Sequence, residues 1–179
     1  MGAFALDANT TGDDNVGLGY SSMSNNTTGS DNVSVGVQAL RDNTTANSNV
    51  AIGRDALLLN TTGAKNIAIG SFALDANTSA DDNVAIGYAS LGVNTTGTRN
   101  VAVGALALDA NTVANDITAV GYAALTNHTT GTENTAVGAS AMFTCTTGAS
   151  NAAVGKGSMA NLTTGNQNTS VGKSSLNKT

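Results

Sequence analysis

A large, small, large alternation of apolar residues returns every 17 positions along the chain. In the middle of the sequence it reads Val50-Ala51-Ile52, Ile67-Ala68-Ile69, Val84-Ala85-Ile86 and Val101-Ala102-Val103. Asn precedes each triplet and Gly follows it, with Leu or Met four residues further on. Period-two alternation over so few residues predicts a very short β-strand. The Asn-Thr-Thr-Gly stretches between triplets, as at Asn94–Gly97, predict turns. A unit of this length is too short for a helix-pair repeat, and leucine-rich repeats need about 20–29 residues. It suits one coil of a β-solenoid, with successive coils ~4.8 Å apart. The fold expected is all-β: a parallel β-solenoid, or β-roll, of ten 17-residue coils with partial coils at the ends. It forms a single repeat domain over residues 1–179 and makes a rod roughly 50 Å long.

Aligning the copies turns each position into a column of equivalent environments. The Gly after the triplet never changes, and Gly53, Gly70, Gly87, Gly104 and Gly121 are read as coil corners that need positive φ or have no room for a Cβ. A second Gly column, with Gly29, Gly63 and Gly97, becomes Ala at Ala46, Ala80 and Ala114, so smallness is its likelier requirement. Within the triplet the large residues, such as Val84 and Ile86, are expected to point into the coil with Leu91. The small column would then face outward at Ala51, Ala68, Ala85, Ala102, Ala119, Ala136 and Ala153. A free surface does not demand small residues but a close-packed partner does, so this column is read as a self-association face, the alternative being a cramped bend within one coil. Two Asn columns, one before each triplet and one before an unvarying Thr, are expected to stack as hydrogen-bonded ladders.

Composition narrows the classes. Aromatic residues make up 3%, Pro and Trp are absent, and Gly is abundant, which is a poor recipe for a globular core. Disorder would fit the polarity, but disordered tracts do not hold ten copies in register. The net charge of −5 argues against nucleic acid as a partner, and no apolar run is long enough to insert in a membrane. One Cys excludes an internal disulfide framework. The chain starts and stops in mid-repeat, as a segment of something longer would. Every Asp, Glu, Lys and Arg falls in a variable column, and one such column alternates in sign as Lys65, Asp82, Arg99, Asp116.

Most candidate chemistry dissolves into the repeat. His128 and Cys145 lie 17 residues apart in the Asn column, as substitutions on neighbouring coils with no orienting third group. Gly165–Ser174 ends in Gly-Lys-Ser, but six residues separate its two glycines where a P-loop has four. Asp7–Gly12 begins like a calcium loop whose twelfth position is Leu18 and not Glu. Asp13-Asp14 and Asp81-Asp82 read as solvated corner carboxylates, and Asp7, Asp75 and Asp109 as exposed. Triplets such as Asn60-Thr61-Thr62 match a glycosylation acceptor only because of the repeat. Tyr20, Tyr88 and Tyr122 follow the corner Gly and are candidate surface contacts for a glycan or protein. The chain therefore reads as a non-enzyme without cofactor or metal, since no acidic column recurs to supply the paired carboxylates a polysaccharide-cleaving solenoid would need.

The Asn-Val-Ala-Ile-Gly strand, followed by a small residue and Leu, resembles two sets of surface-fibre repeats. One is the head of YadA-type trimeric autotransporter adhesins; the other is the Asn-Thr-Ala-Val-Gly repeat of phage tail fibres. The likeness covers the whole chain. It implies a homotrimeric extracellular fibre segment, on a cell surface or a virion tail, that spaces or displays a surface for an unknown receptor or glycan. YadA-type head repeats are a left-handed β-roll but shorter than 17 residues, so handedness does not transfer. Neither end shows a capping turn, and end-to-end stacking of copies is a further expectation. The competing reading is an ice-binding solenoid that uses the unvarying Thr column, Thr10 to Thr163.

Overall fold

The computed structural model describes residues 2–177, and within them the chain is an all-β parallel solenoid without a helix. Ten three-residue strands follow in order: β1 (Val16–Leu18), β2 (Val33–Val35), β3 (Val50–Ile52), β4 (Ile67–Ile69), β5 (Val84–Ile86), β6 (Val101–Val103), β7 (Thr118–Val120), β8 (Thr135–Val137), β9 (Ala152–Val154) and β10 (Thr169–Val171). They form one sheet in sequence order, about nine turns from end to end. Every pair is parallel and every residue stands beside its equivalent 17 positions on, as Val84, Ala85 and Ile86 stand beside Val101, Ala102 and Val103. The ladder bonds alternate between neighbours: Val84 N–H donates to Asn100 O at 2.8 Å, and Gly87 N–H to Ile69 O at 2.7 Å.

Strands are short because the chain turns at once on the corner glycine. Gly87 has φ +137°, and a Cβ there would lie 2.6 Å from the carbonyl carbon of Gly104 on the next coil. Both reasons foreseen for this column therefore hold together. The second Gly column has no positive φ among the described residues, and its missing Cβ faces the next coil's carbonyl, 2.3 Å away at Gly97. The sequence expectation placed the corners on glycine alone; the structure also uses three further left-handed residues per coil, all non-glycine except Gly157. In the coil after β5 these are Ala89 (φ 49°), Leu91 (φ 52°) and Arg99 (φ 57°). Such residues cost roughly 1–2 kcal/mol each. Here their N–H groups are aimed at neighbouring coils: Ala89 bonds Ser71 O at 3.0 Å and Leu91 bonds Ala107 O at 2.9 Å.

The interior reverses the expected orientation of the triplets. Ala51, Ala68, Ala85, Ala102, Ala119, Ala136 and Ala153 are wholly buried in a single chain, so they are not a trimer face and have no surface to offer a partner. Their column faces the Leu column across a thin lumen: a Cβ on Gly17 of β1 would meet Leu6 Cγ at 3.0 Å. Ser34 in the same column confirms the direction, with its hydroxyl 2.6 Å from Ala39 O and 2.7 Å from Ser22 Oγ. Small residues are required because a leucine or methionine already fills the space opposite. The large neighbours, Val84 and Ile86, point outward instead, and Ile86 is 37% exposed.

Both Asn columns are buried ladders. In the turn column, Asn43 Nδ2 donates to Asn26 Oδ1 at 2.7 Å and Asn77 Nδ2 to Asn60 Oδ1 at 2.8 Å, each also reaching a carbonyl three residues on. In the column before the strands, Asn49 Oδ1 accepts from Asn66 N–H at 2.9 Å while its Nδ2 donates to Gly63 O at 2.9 Å. These amides satisfy the backbone groups that a corner strips from the sheet.

Candidate functional site

The outward columns are the only places where this fold can present chemistry, and the longest of them is the outer face of the sheet. From β1 to β10 the first and third strand residues stand outward, among them Val16, Leu18, Ile52, Ile86, Val154 and Val171, all openly exposed. The other residues of this face from β2 to β9 are half-buried, each covered by its equivalents on the coils above and below, while Thr169 of β10 is exposed. No charged residue occurs in any of the ten strands. The third-position row, Leu18 to Val171, is branched apolar along the whole rod, whereas the first-position row is so from Val16 to Val101 and continues as Thr118, Thr135, Ala152 and Thr169. Columns of β-branched residues are stiff and pack well in this setting.

Tyr20, Tyr88 and Tyr122 are all more than half exposed, two residues beyond the end of a strand. Tyr20 and Tyr88 each stand edge-on to a phenylalanine of the preceding coil. The ring centroids are 5.8 Å apart for Phe4–Tyr20 and 5.9 Å for Phe72–Tyr88. Those contacts hold the rings in place while leaving faces open, an arrangement suited to stacking or hydrogen bonding with a ligand.

The unvarying Thr column lies at a turn, partly to openly exposed, and outside the strands. Its hydroxyls are committed along the rod: Thr10 Oγ1 donates to Thr27 O at 2.8 Å, Thr27 to Thr44 O at 2.9 Å and Thr61 to Thr78 O at 2.9 Å. A second Thr row beside it, including Thr62 and Thr96, is exposed.

The charged columns make few ion pairs. In the alternating column Arg99 forms a two-pronged bond with Asp116, at 2.7 and 2.8 Å, and the guanidinium holds that carboxyl below its ordinary range. Lys65 and Asp82 do not reach ion-pair distance, so the expected attraction is realised only once in the column among the described residues. Asp75 and Asp109 are half-buried, not exposed as the sequence suggested. They lie on either side of Gly92, and their Oδ1 atoms stand 3.5 and 3.2 Å from where a Cβ would be. Burial pushes both carboxyls up, with the charges of Asp55 and Asp109 adding to the effect at Asp75. Asp81 Oδ1 is taken by the Ala64 N–H at 2.7 Å.

His128 and Cys145 sit fully buried in the turn ladder. The His128 Nε2–H donates to Gly131 O, as an Asn amide would, while Nδ1 has no partner. Burial lowers the imidazole's pKa and raises that of the Cys145 thiol. Neither has an approach from solvent. The acceptor-like Asn60 is likewise buried, its Nδ2 donating to Asn43 Oδ1 and Gly63 O. Among the described residues no group of three or more His, Cys, Asp or Glu is placed to hold a metal ion, and no pocket opens. Compared with known proteins, the chain matches no protein-family model, no curated protein and no solved structure.

Proposed function

We propose that this chain is a rigid segment of an extracellular fibre, assembled as a homotrimer, that spaces or displays a surface for a receptor or glycan. The observation that carries the reading is the division of labour between columns. Interior Ala, Leu and Asn are repeated from coil to coil with few replacements, among them Ile117, His128, Cys145 and Leu162, whereas most variation falls at positions that face outward, such as Tyr88, Val93, Thr98 and Arg99. A rod built so regularly keeps its dimensions while its outer columns are free to differ, which is what a spacer or display element requires. The held rings of Tyr20 and Tyr88 are the best-defined exposed contact groups. The resemblance to surface-fibre repeats supports the same reading.

The test is retention of beads coated with the chain on layers of bacterial and eukaryotic cells and on immobilised glycans. Binding to one of these surfaces is expected, with a loss of at least tenfold when Tyr20, Tyr88 and Tyr122 are together changed to Ala, the size expected for about 1.4 kcal/mol of contact energy. Uniform failure to bind would leave only a spacer. The ice-binding reading is less favoured, because the unvarying Thr hydroxyls are already spent on carbonyls of the next coil. Thermal hysteresis in a solution of the chain would restore it.

A further inference from the structure

The column directly after the corner glycine repeats on a longer beat than the coil. Tyr20, Arg54, Tyr88, Tyr122 and Lys156 follow one another in it at intervals of 34 residues, which is every second coil. The coils between them carry only Ala, Val or Ser there, as Ala105 stands between Tyr88 and Tyr122, and the alternation stops at Lys173. All five long side chains are exposed. We infer that this row is a binding track for an extended β-1,4-linked polysaccharide of the cellulose or chitin type, lying along the rod with one disaccharide to every two coils. The inference rests on the display reading above and names the class of glycan that the surface takes.

Pitch is the first support. Coils stack at ~4.8 Å, so the long side chains stand about 10 Å apart and the row runs roughly 40 Å along the rod. The backbone holds this column in register: the Tyr88 carbonyl accepts from Leu106 N–H at 3.0 Å and the Tyr122 carbonyl from Ser140 N–H at 2.8 Å. In an extended β-1,4-linked chain each sugar is turned over relative to the last. The same face therefore returns with every second sugar, at an interval close to two coils of this rod. An α-1,4-linked chain coils and leaves a straight row after a few sugars.

Chemistry is the second support. A β-pyranose has apolar C–H faces and a rim of hydroxyls, and tyrosine offers it an electron-rich face and a hydroxyl on one rigid side chain. The edge-on contacts of Tyr20 with Phe4 and of Tyr88 with Phe72 restrain the rings in advance, so less freedom is lost when a sugar stacks. Arg54 donates from Nε to Asp55 Oδ2 at 3.1 Å, yet its side chain is 67% exposed and keeps N–H groups for sugar oxygens. Charge is the third support. The chain has twelve Asp and Glu but none in this column, so no hydrated carboxylate interrupts the track.

Retention of the whole chain on microcrystalline cellulose, on chitin and on starch granules tests this. Retention on cellulose, on chitin or on both is expected, with none on starch; a preference for one of the two assigns the group on the second carbon of the sugar. Tyr88→Ala with Tyr122→Ala should weaken retention at least tenfold, whereas Tyr88→Phe with Tyr122→Phe, which keep the rings, should stay within about threefold of the wild type. Ala105→Tyr with Tyr122→Ala keeps the composition but sets two rings one coil apart, and should lose retention as the double Ala variant does. Val93→Ala, an exposed change off the row, should alter nothing. Absence of retention on both β-1,4-linked polymers overturns the proposal, as does equal retention on starch. So does an Ala or register variant that binds like the wild type, or a Phe variant that loses as much as the Ala variant. Should circular dichroism show that the Ala variant fails to fold, the register and Phe variants decide. A chain that holds to neither cellulose nor chitin, yet is retained on cells through its tyrosines, would remove this inference and leave the display reading standing.

Discussion

At the scale of single residues, the two glycine columns show how similar sequence signals conceal different constraints. Gly87 combines a φ that side-chain residues avoid with a backbone contact no Cβ survives. Gly97 lacks the first, and Ala already stands at its equivalents Ala46, Ala80 and Ala114, always with Gly on both flanking coils. Gly87→Ala should therefore cost about 3 kcal/mol or more, and Gly148→Ala, whose flanking coils carry Gly131 and Gly165, about 1 kcal/mol, in urea titrations; equal costs would contradict this account of the corners. His128 makes a pH prediction. Its folded pKa is depressed by burial, so the unfolded chain binds more protons below the ordinary histidine range. The stability available with neutral imidazole is complete above about pH 6.5 and is lost as the pH falls from there toward the folded value. Melting at about pH 7.5 and about pH 5 should show a drop for the wild type that His128→Asn reduces, because an amide carries no titrating group. A drop of the same size in both would place the acid sensitivity elsewhere.

At the scale of the coil, the strands, the turns, the period and both Asn ladders were legible from sequence, because each depends on a residue type that recurs in register. The direction of the triplet was not. Large-small-large marks two faces of a strand, yet which face is inner depends on how much space the opposite wall leaves, and here Leu91 and its equivalents leave room only for Ala85. The usual association of large apolar residues with the interior fails in a coil this thin. The left-handed Ala89, Leu91 and Arg99 were also invisible, since their residue types carry no such signal and their conformation is set by bonds to neighbouring coils. The Tyr column was visible, whereas the phenylalanine bracing of Tyr20 and Tyr88 appears only when coils stack. The ladder itself gives a prediction: Asn77→Ala would strand Asn60 Oδ1, which now accepts from it, while the Ala80 carbonyl keeps its bond from Asn66 Nδ2 at 2.8 Å. The expected loss is roughly 2 kcal/mol, within the range of about 1–3 kcal/mol for one orphaned buried group. Leu162→Asn, where the ladder is already interrupted, should change stability far less. A urea titration of the two variants decides it.

At the scale of the whole molecule, a solenoid of identical coils is stabilised by neighbour contacts alone, so its length follows from the number of repeats and its thickness from one coil. The outer face of the sheet carries no charged residue along the rod, and the proposed homotrimer would add mass around the rod without changing its length. Small-angle X-ray scattering reports length and mass per unit length together and tests this most directly. The account predicts a particle roughly 50 Å long whose mass per unit length is three times that of one chain. The same length with the mass per unit length of a single chain would contradict it.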